Sequence, residues 1–377
     1  MFKPLCALLV VSLVSACSQL ESLSTFTNKM EGIKKESAPL SVAWAKNLDP
    51  VYETGNLPIH LGSPAIDQQG TRLFIADGSG EMSAFALDNG RKLWSFTDGS
   101  SSHAGATLEG DTLFYGTSEG RLISRQSSSG ALLWAIDLGA SIESAPTVAG
   151  GRLFVQLRNH QVFALDAATG KILWAYKRSI PLLTTLQRAS RPVVWKNKLY
   201  VGFADGNVAS FNVEEGIMLW ERKISSGDKF IDVDMSATFF NDQLWIGSSS
   251  NEVHVLDPKT GRTLRTLSFT SSHEPLRYGD ALIFGTVQGD LIGVNSTGKT
   301  VMKYKVADAQ ISSVSSWKSG YVVTDVEGHV FFVDAQEGKT LWRKHLGHSN
   351  SGIFSSPALA KGKLALLSSR HRLYVFQ

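Results

Sequence analysis

Gly116-Thr117-Ser118-Glu119-Gly120 has the G-x-S-x-G spacing of a nucleophile elbow, which needs its serine on a sharp strand-to-helix turn. Here the stretch lies between two short β-type runs, so it reads as a hairpin and the match as coincidence. His345 and His348 stand three apart, a spacing two metal ligands can share, but no Cys, Glu or third His accompanies them in sequence. Asp or Asn recurs at Asp88, Asp166, Asn212, Asp257, Asn295 and Asp334, a pattern that invites a calcium or general-acid reading. Asx residues at hairpin starts bond their own turn backbone, and that structural role accounts for the recurrence. No glycine-rich phosphate loop stands between a strand and a helix. The residues therefore give no catalytic, cofactor-binding or metal-ligating set.

Cys17 is the exception, with a chemistry of anchoring. Lys3 is a short basic region, and Leu5 to Val14 is apolar but too short to span a bilayer, which reads as a secretory signal. It ends in Val14-Ser15-Ala16-Cys17, similar to the bacterial lipobox in which the cysteine becomes the acylated N-terminus. Cys6 and Cys17 are the only cysteines, so the processed chain has none left to pair in a disulfide. Ser18, rather than Asp, follows Cys17 and favours the outer membrane. Residues 1–16 are thus expected to be a signal peptide and 17–40 a lipidated tether rich in Ser, Thr, Lys and Glu.

The elements that carry the rest repeat. Asp88-Asn89-Gly90-Arg91-Lys92-Leu93-Trp94 returns as Gly130 to Trp134, Gly170 to Trp174 and Gly216 to Trp220. Two worn copies follow, Gly261 to Arg265 and Gly298 to Met302, then Gly338 to Trp342. The glycines step by 40, 40, 46, 45, 37 and 40 residues, a period of solenoids, propellers and arrays. Within one period, such as 144–177, four short runs of β-branched and aromatic residues are split by Gly, Asn and Asp turns. No segment has a helical period. Four strands in 40 residues make a β-propeller blade. The glycine supplies φ > 0 in its turn, and the tryptophan sits on the fourth, outermost strand, where its ring can cover the seam to the next blade.

Ser41 to Leu48 looks like a fourth strand with nothing before it, while 354–377 holds three strands with no fourth. Counting outer strands by Trp44, Trp94, Trp134, Trp174, Trp220, Arg265, Met302 and Trp342 gives eight. The expected fold class is all-β, an eight-bladed β-propeller of four-stranded antiparallel blades over 41–377, closed by the N-terminal strand in the last blade. The blades run 62–97, 103–138, 144–178, 189–223, 234–268, 273–305, 311–345, and 354–377 with 42–48. Trp195, Trp245 and Trp317 fall on first or second strands and read as core. The net charge of +3 falls to +2 without Lys3, and no basic stripe carries interleaved aromatics, so no nucleic-acid partner is expected.

The two long steps come from interblade loops at 179–188 and 224–233. In a meander blade the loop leaving strand four lies on the same face as the turn between strands two and three, so both loops project from one face of adjacent blades. The first, Ser179 to Arg188, is strongly apolar for a surface loop, and the second contains Phe230 to Asp234. An exposed apolar patch with charged neighbours marks an interaction site. The alternative is that the leucines tuck under and plug the channel mouth.

The Leu-Trp repeats resemble the tryptophan-docking repeats of eight-bladed quinoprotein dehydrogenases. Combined with the lipobox and a single propeller, from Cys17 to the C-terminus, they resemble the BamB family of outer membrane assembly factors. The first resemblance implies a quinone-dependent dehydrogenase, but the adjacent Cys-Cys pair and long insertions of that site are missing. The second implies a non-catalytic scaffold lipoprotein facing the periplasm, without cofactor. Its implied partners are the POTRA domains of the Omp85-type barrel component BamA and unfolded outer membrane protein clients. It also implies contact through a Leu/Arg segment before blade four and an Asp-x-Asp pair opening blade five. Asp232 and Asp234 match the pair. Leu183, Leu186 and Arg188 match the segment more loosely, with Gln187 as the alternative to Arg188.

Overall fold

A computed structural model describes residues 39–48, 62–102, 104–179, 190–227, 229–248, 252–347 and 351–377. The runs rich in β-branched and aromatic residues form thirty-two strands in eight antiparallel sheets of four, and the described residues contain no helix. In blade 3 the strands are Thr147–Ala149, Arg152–Gln156, Gln161–Asp166 and Ile172–Lys177, paired in that order. The other blades follow the same meander, and the expected blade limits hold closely. The outer strand of blade 5, Thr263–Thr270, runs two residues beyond the expected end.

Eight apolar clusters hold the sheets together, each shared by two consecutive blades. Phe154, Val162 and Ala164 of blade 3, for example, pack with Leu199, Val201 and Phe211 of blade 4. The eighth cluster joins Leu73, Ile75 and Phe85 of blade 1 to Leu367, Leu373 and Val375 of blade 8. A set of seams that returns to its start is a closed ring. Each fully buried side chain of this size contributes about 1.5–3 kcal/mol, so the ring is stabilised seam by seam.

Closure runs through Val42–Asn47, which pairs antiparallel with Arg372–Phe376 as the fourth strand of blade 8. The two termini exchange backbone bonds, Ser41 N to Gln377 O at 3.1 Å and Gln377 N to Ser41 O at 2.9 Å. Leu40, expected in the tether, is 1 % exposed and packs with Trp317, Leu364 and Phe376. The compact unit therefore begins at Leu40.

The repeat tryptophans dock as the spacing suggests, with a second role for the glycine. Trp134 Nε1 donates to Ala167 O at 3.1 Å in the next blade, and Trp174 Nε1 to Val213 O at 2.9 Å. A Cβ on Gly170 would lie 2.7 Å from the Trp134 ring, so this residue must lack one for two reasons, its φ of +73° and the docked indole. The worn copies keep the dock by substitution. Arg265 Nη1 donates to Ser296 O at 2.8 Å while its stem packs on Gly298. Met302 leaves the role to Tyr304, two residues on and on the same strand face, whose ring packs on Gly338 and whose hydroxyl donates to Gln336 O at 3.3 Å.

Every outer strand also shifts register just before the repeat's tryptophan position, as between Ala164 and Leu165 opposite Trp174 and Ile172, and in blade 6 before Met302 although Tyr304 makes the dock. The bulge increases local twist and interrupts an edge that would otherwise template pairing with another chain.

Candidate partner interface

The described ends of both long loops lie beside a turn between strands two and three. One such turn, Phe203–Gly206 of blade 4, holds the roots of both. Arg178, at the start of the first loop, donates from Nε and Nη2 to Asp205 Oδ2 at 2.9 and 2.6 Å. The same guanidinium reaches Glu221 at 2.5 Å and stacks over the Phe203 ring at 5.0 Å. Charge-assisted bonds of this kind are about twice as strong as neutral ones. On the other side, Ile224 N and Ser225 N, opening the second loop, donate to Gly206 O at 2.9 and 3.2 Å. Where that loop ends, Val233 N donates to Phe203 O at 3.2 Å. A Cβ on Gly202 would lie 2.7 Å from Val233, so the returning chain needs that glycine to lie flat on blade 4.

The first loop ends in a second fastening. Arg191 N donates to Ser236 Oγ at 3.1 Å and Arg191 Nε to Thr147 Oγ1 at 2.9 Å, which ties blades 3, 4 and 5. Leu183, Leu186, Gln187 and Arg188 lie outside the described residues, as does Cys17.

Asp232 and Asp234 are brought to the same face, but inside its wall. They are 2 % and 8 % exposed, and Ile231 and Val233 between them are also buried. Loop charges read from sequence suggest solvent, and here packing against Gly202 and Phe203 decides otherwise. Among the described residues of the loop, Ser226, Gly227, Lys229 and Phe230 are exposed. Phe230 is 41 % exposed with φ of +54°. The sequence places it in the exposed apolar patch of the second loop, but nothing in the residue type announces its backbone.

Asp234 also borders a cavity of about 370 Å³ at the axial mouth, with Glu143, Ser144, Arg191, His273 and Glu274 among the lining. Burial pushes the Glu143 carboxyl above the ordinary carboxylate range, against the pull of Arg158 at 3.4 Å. An acid raised in the folded state binds more protons than in the unfolded chain, so its charge lowers stability as pH rises from the ordinary value through the folded one. Glu143→Gln is therefore expected to leave the melting temperature at pH 4 near the parent's and to raise it at pH 7. Thermal melts at the two pH values check this, and a lower value at pH 7 would contradict it.

The other chemical candidates resolve into structure. Gly116–Gly120 is the hairpin between Thr112–Gly116 and Arg121–Gln126, and Ser118 Oγ bonds Ser101 Oγ at 2.9 Å. His345 Nε2 lies 3.0 Å from Glu327 O, and His348 is outside the described residues. Five of the six repeated Asx side chains bond their own turns, as Asp166 Oδ1 accepts from Thr169 N at 2.8 Å, while Asp88 Oδ1 accepts from Lys363 Nζ at 2.7 Å. Trp245 and Trp317 are core, at 0 % and 5 % exposed, while Trp195 is half-buried and stacks on Phe239 at 4.5 Å.

Thirty-two strands in a closed ring, with an indole or its substitute docked at the seams, define an eight-bladed propeller of the tryptophan-docking class. Two solved structures agree in fold. A crystal structure of BamB from Moraxella catarrhalis matches with a TM-score of 0.75 at 21 % identity, covering 90 % of this chain and 99 % of that one. A europium-containing methanol dehydrogenase matches with a TM-score of 0.70 at 14 % identity, covering 91 % and 94 %. The family model for outer membrane protein assembly factor BamB matches residues 78–243 and 249–377, and the chain belongs to that family. Relatives of that description from Pseudomonas aeruginosa and Shewanella oneidensis are each 26 % identical, over 177 and 208 residues. These alignments span 45 % and 53 % of this chain, and about half the length of the relatives, 46 % and 52 %.

Proposed function

We propose that the chain is a non-catalytic scaffold lipoprotein of outer membrane β-barrel assembly. It docks on a POTRA domain of the Omp85-type component BamA and aids folding and insertion of outer membrane proteins. The family supports the assembly role, since its members bear the description of outer membrane protein assembly factor. The observation that carries the docking reading is the pair of enlarged loops whose roots are fastened by one turn, on one face of blades 3 to 5. Leu183, Leu186 and Arg188 or Gln187 supply the first loop's contacts. Asp232 and Asp234, buried as they are, shape the second loop from within the wall, and Asp234 reaches the axial mouth. Unfolded barrel proteins are a further class of partner.

A quinone-dependent dehydrogenase has less support. Planar quinones need a stacking surface, and among the described residues those lining the axial mouth include neither cysteines nor a Phe, Tyr or Trp ring. Affinity purification from detergent-solubilised outer membranes tests the scaffold reading. Co-elution of an Omp85-type barrel protein is expected, and its absence would count against docking.

Anchoring is through lipid on Cys17, with the propeller on the periplasmic side. Two or more acyl chains hold stably where one binds marginally. Cys17→Ala is expected to release the protein from the membrane fraction or leave it uncleaved. Unchanged fractionation, with no acyl mass on the N-terminal peptide, would remove the lipid from the account.

A further inference from the structure

We propose that Phe230 is the aromatic anchor of this docking face, held in a preset geometry by the blade 4 turn. Its counterpart is a ring-sized apolar pocket on a folded partner domain. The proposal rests on the docking reading and deepens it. Phe230 is the one exposed large apolar residue with a left-handed backbone among the described residues. The other exposed apolars on outer strands, such as Leu133, Leu173 and Leu219, stand at the repeat's bulge and recur around the ring. Phe230 does not repeat.

A left-handed non-glycine residue is strained and persists only where its surroundings hold it. They do so here on both sides. Ile224 and Ser225 are buried and bonded to Gly206, and residues 231–237 are buried in succession along blades 4 and 5. Between these fixed flanks Ser226, Gly227, Lys229 and Phe230 are exposed. At 41 % exposure the ring keeps apolar surface that a partner's pocket would bury. A rigid aromatic with a fixed backbone loses little entropy on binding and is the usual kind of interface hot spot. Lys229 beside it favours an acidic rim around that pocket.

The strain supplies a diagnostic variant. Phe230→Gly removes the ring and suits the left-handed backbone, so stability and binding should part company. The full chain and the isolated periplasmic domains of the barrel component are the two binding partners, read by calorimetry, with a melting curve for each variant. Phe230→Gly is expected to melt within about 2 °C of the parent. It should bind about thirtyfold more weakly, the equivalent of about 2 kcal/mol at about 1.4 kcal/mol per decade. Phe230→Leu, which keeps an apolar side chain, should recover most of the affinity. Parental affinity in Phe230→Gly would overturn the anchor while leaving the docking reading in place. A parent that does not bind these domains would overturn both.

Discussion

Deleting residues 41–48 is expected to unfold or aggregate the protein at temperatures where the parent is stable. The strand supplies the outer edge of blade 8 and the Trp44 indole, whose Nε1 donates to Leu87 O at 2.8 Å while its ring covers Gly90. Its loss leaves Arg372–Phe376 as an open edge and removes the cover from the seam of blades 8 and 1. An internal dock gives the scale. Trp174→Ala leaves its strand in place and is expected to cost about 3 kcal/mol, the lower end for a large aromatic because the ring is only half-buried. The closure deletion should exceed that. Chemical denaturation of parent, Trp174→Ala and the deletion gives the order, and a deletion that unfolds with the parent would mean the ring does not depend on its closure.

Loss of the docking contacts is expected to have the second large effect, on binding. The pair Leu183→Ala and Leu186→Ala, made together, should abolish co-elution of the barrel component while the melting curve stays near the parent's. Asp232→Ala with Asp234→Ala should behave differently. Both carboxylates are buried, and truncating a buried, paired charge costs about 2–5 kcal/mol, so stability and co-elution should fall together. Leucine variants that lose binding only by unfolding would instead support leucines tucked beneath the loop as a plug. Parental co-elution in both double variants would move the docking site elsewhere on the ring.

Repetition explains why so much of the fold is legible in the sequence. A turn glycine and a docking indole recur at nearly constant spacing, so blade number, strand order and closure follow from counting. What the spacing hides is the contact between repeats. Gly170 reads as a turn residue, and only the folded ring shows the Trp134 indole occupying the place of its side chain. The exchange of Met302 for Tyr304 is hidden for the same reason, since a dock can move two residues along a strand and keep its face.

The candidate site is less legible. Loop length identified the face and both loops, because insertion in a regular array stands out. The fate of each side chain depends on packing that no local pattern encodes. Asp232 and Asp234 read as solvent-facing loop charges and are in the wall, while of the loop apolars read as an exposed patch Phe230 is exposed and Ile231 and Val233 are buried. Arg178 and Asp205, 27 residues apart, meet only because the blade 4 turn lies beside the end of blade 3.

The central claim is that the partner lies on the face of the long loops. Site-directed photocrosslinking tests it most directly. A photoreactive residue at Lys229, on that face, is compared with one at Lys259, exposed in the turn leading to the outer strand of blade 5 on the opposite face. The account predicts a crosslink from position 229 to the periplasmic part of the barrel component and none from position 259. A crosslink from 259 with none from 229 would contradict it.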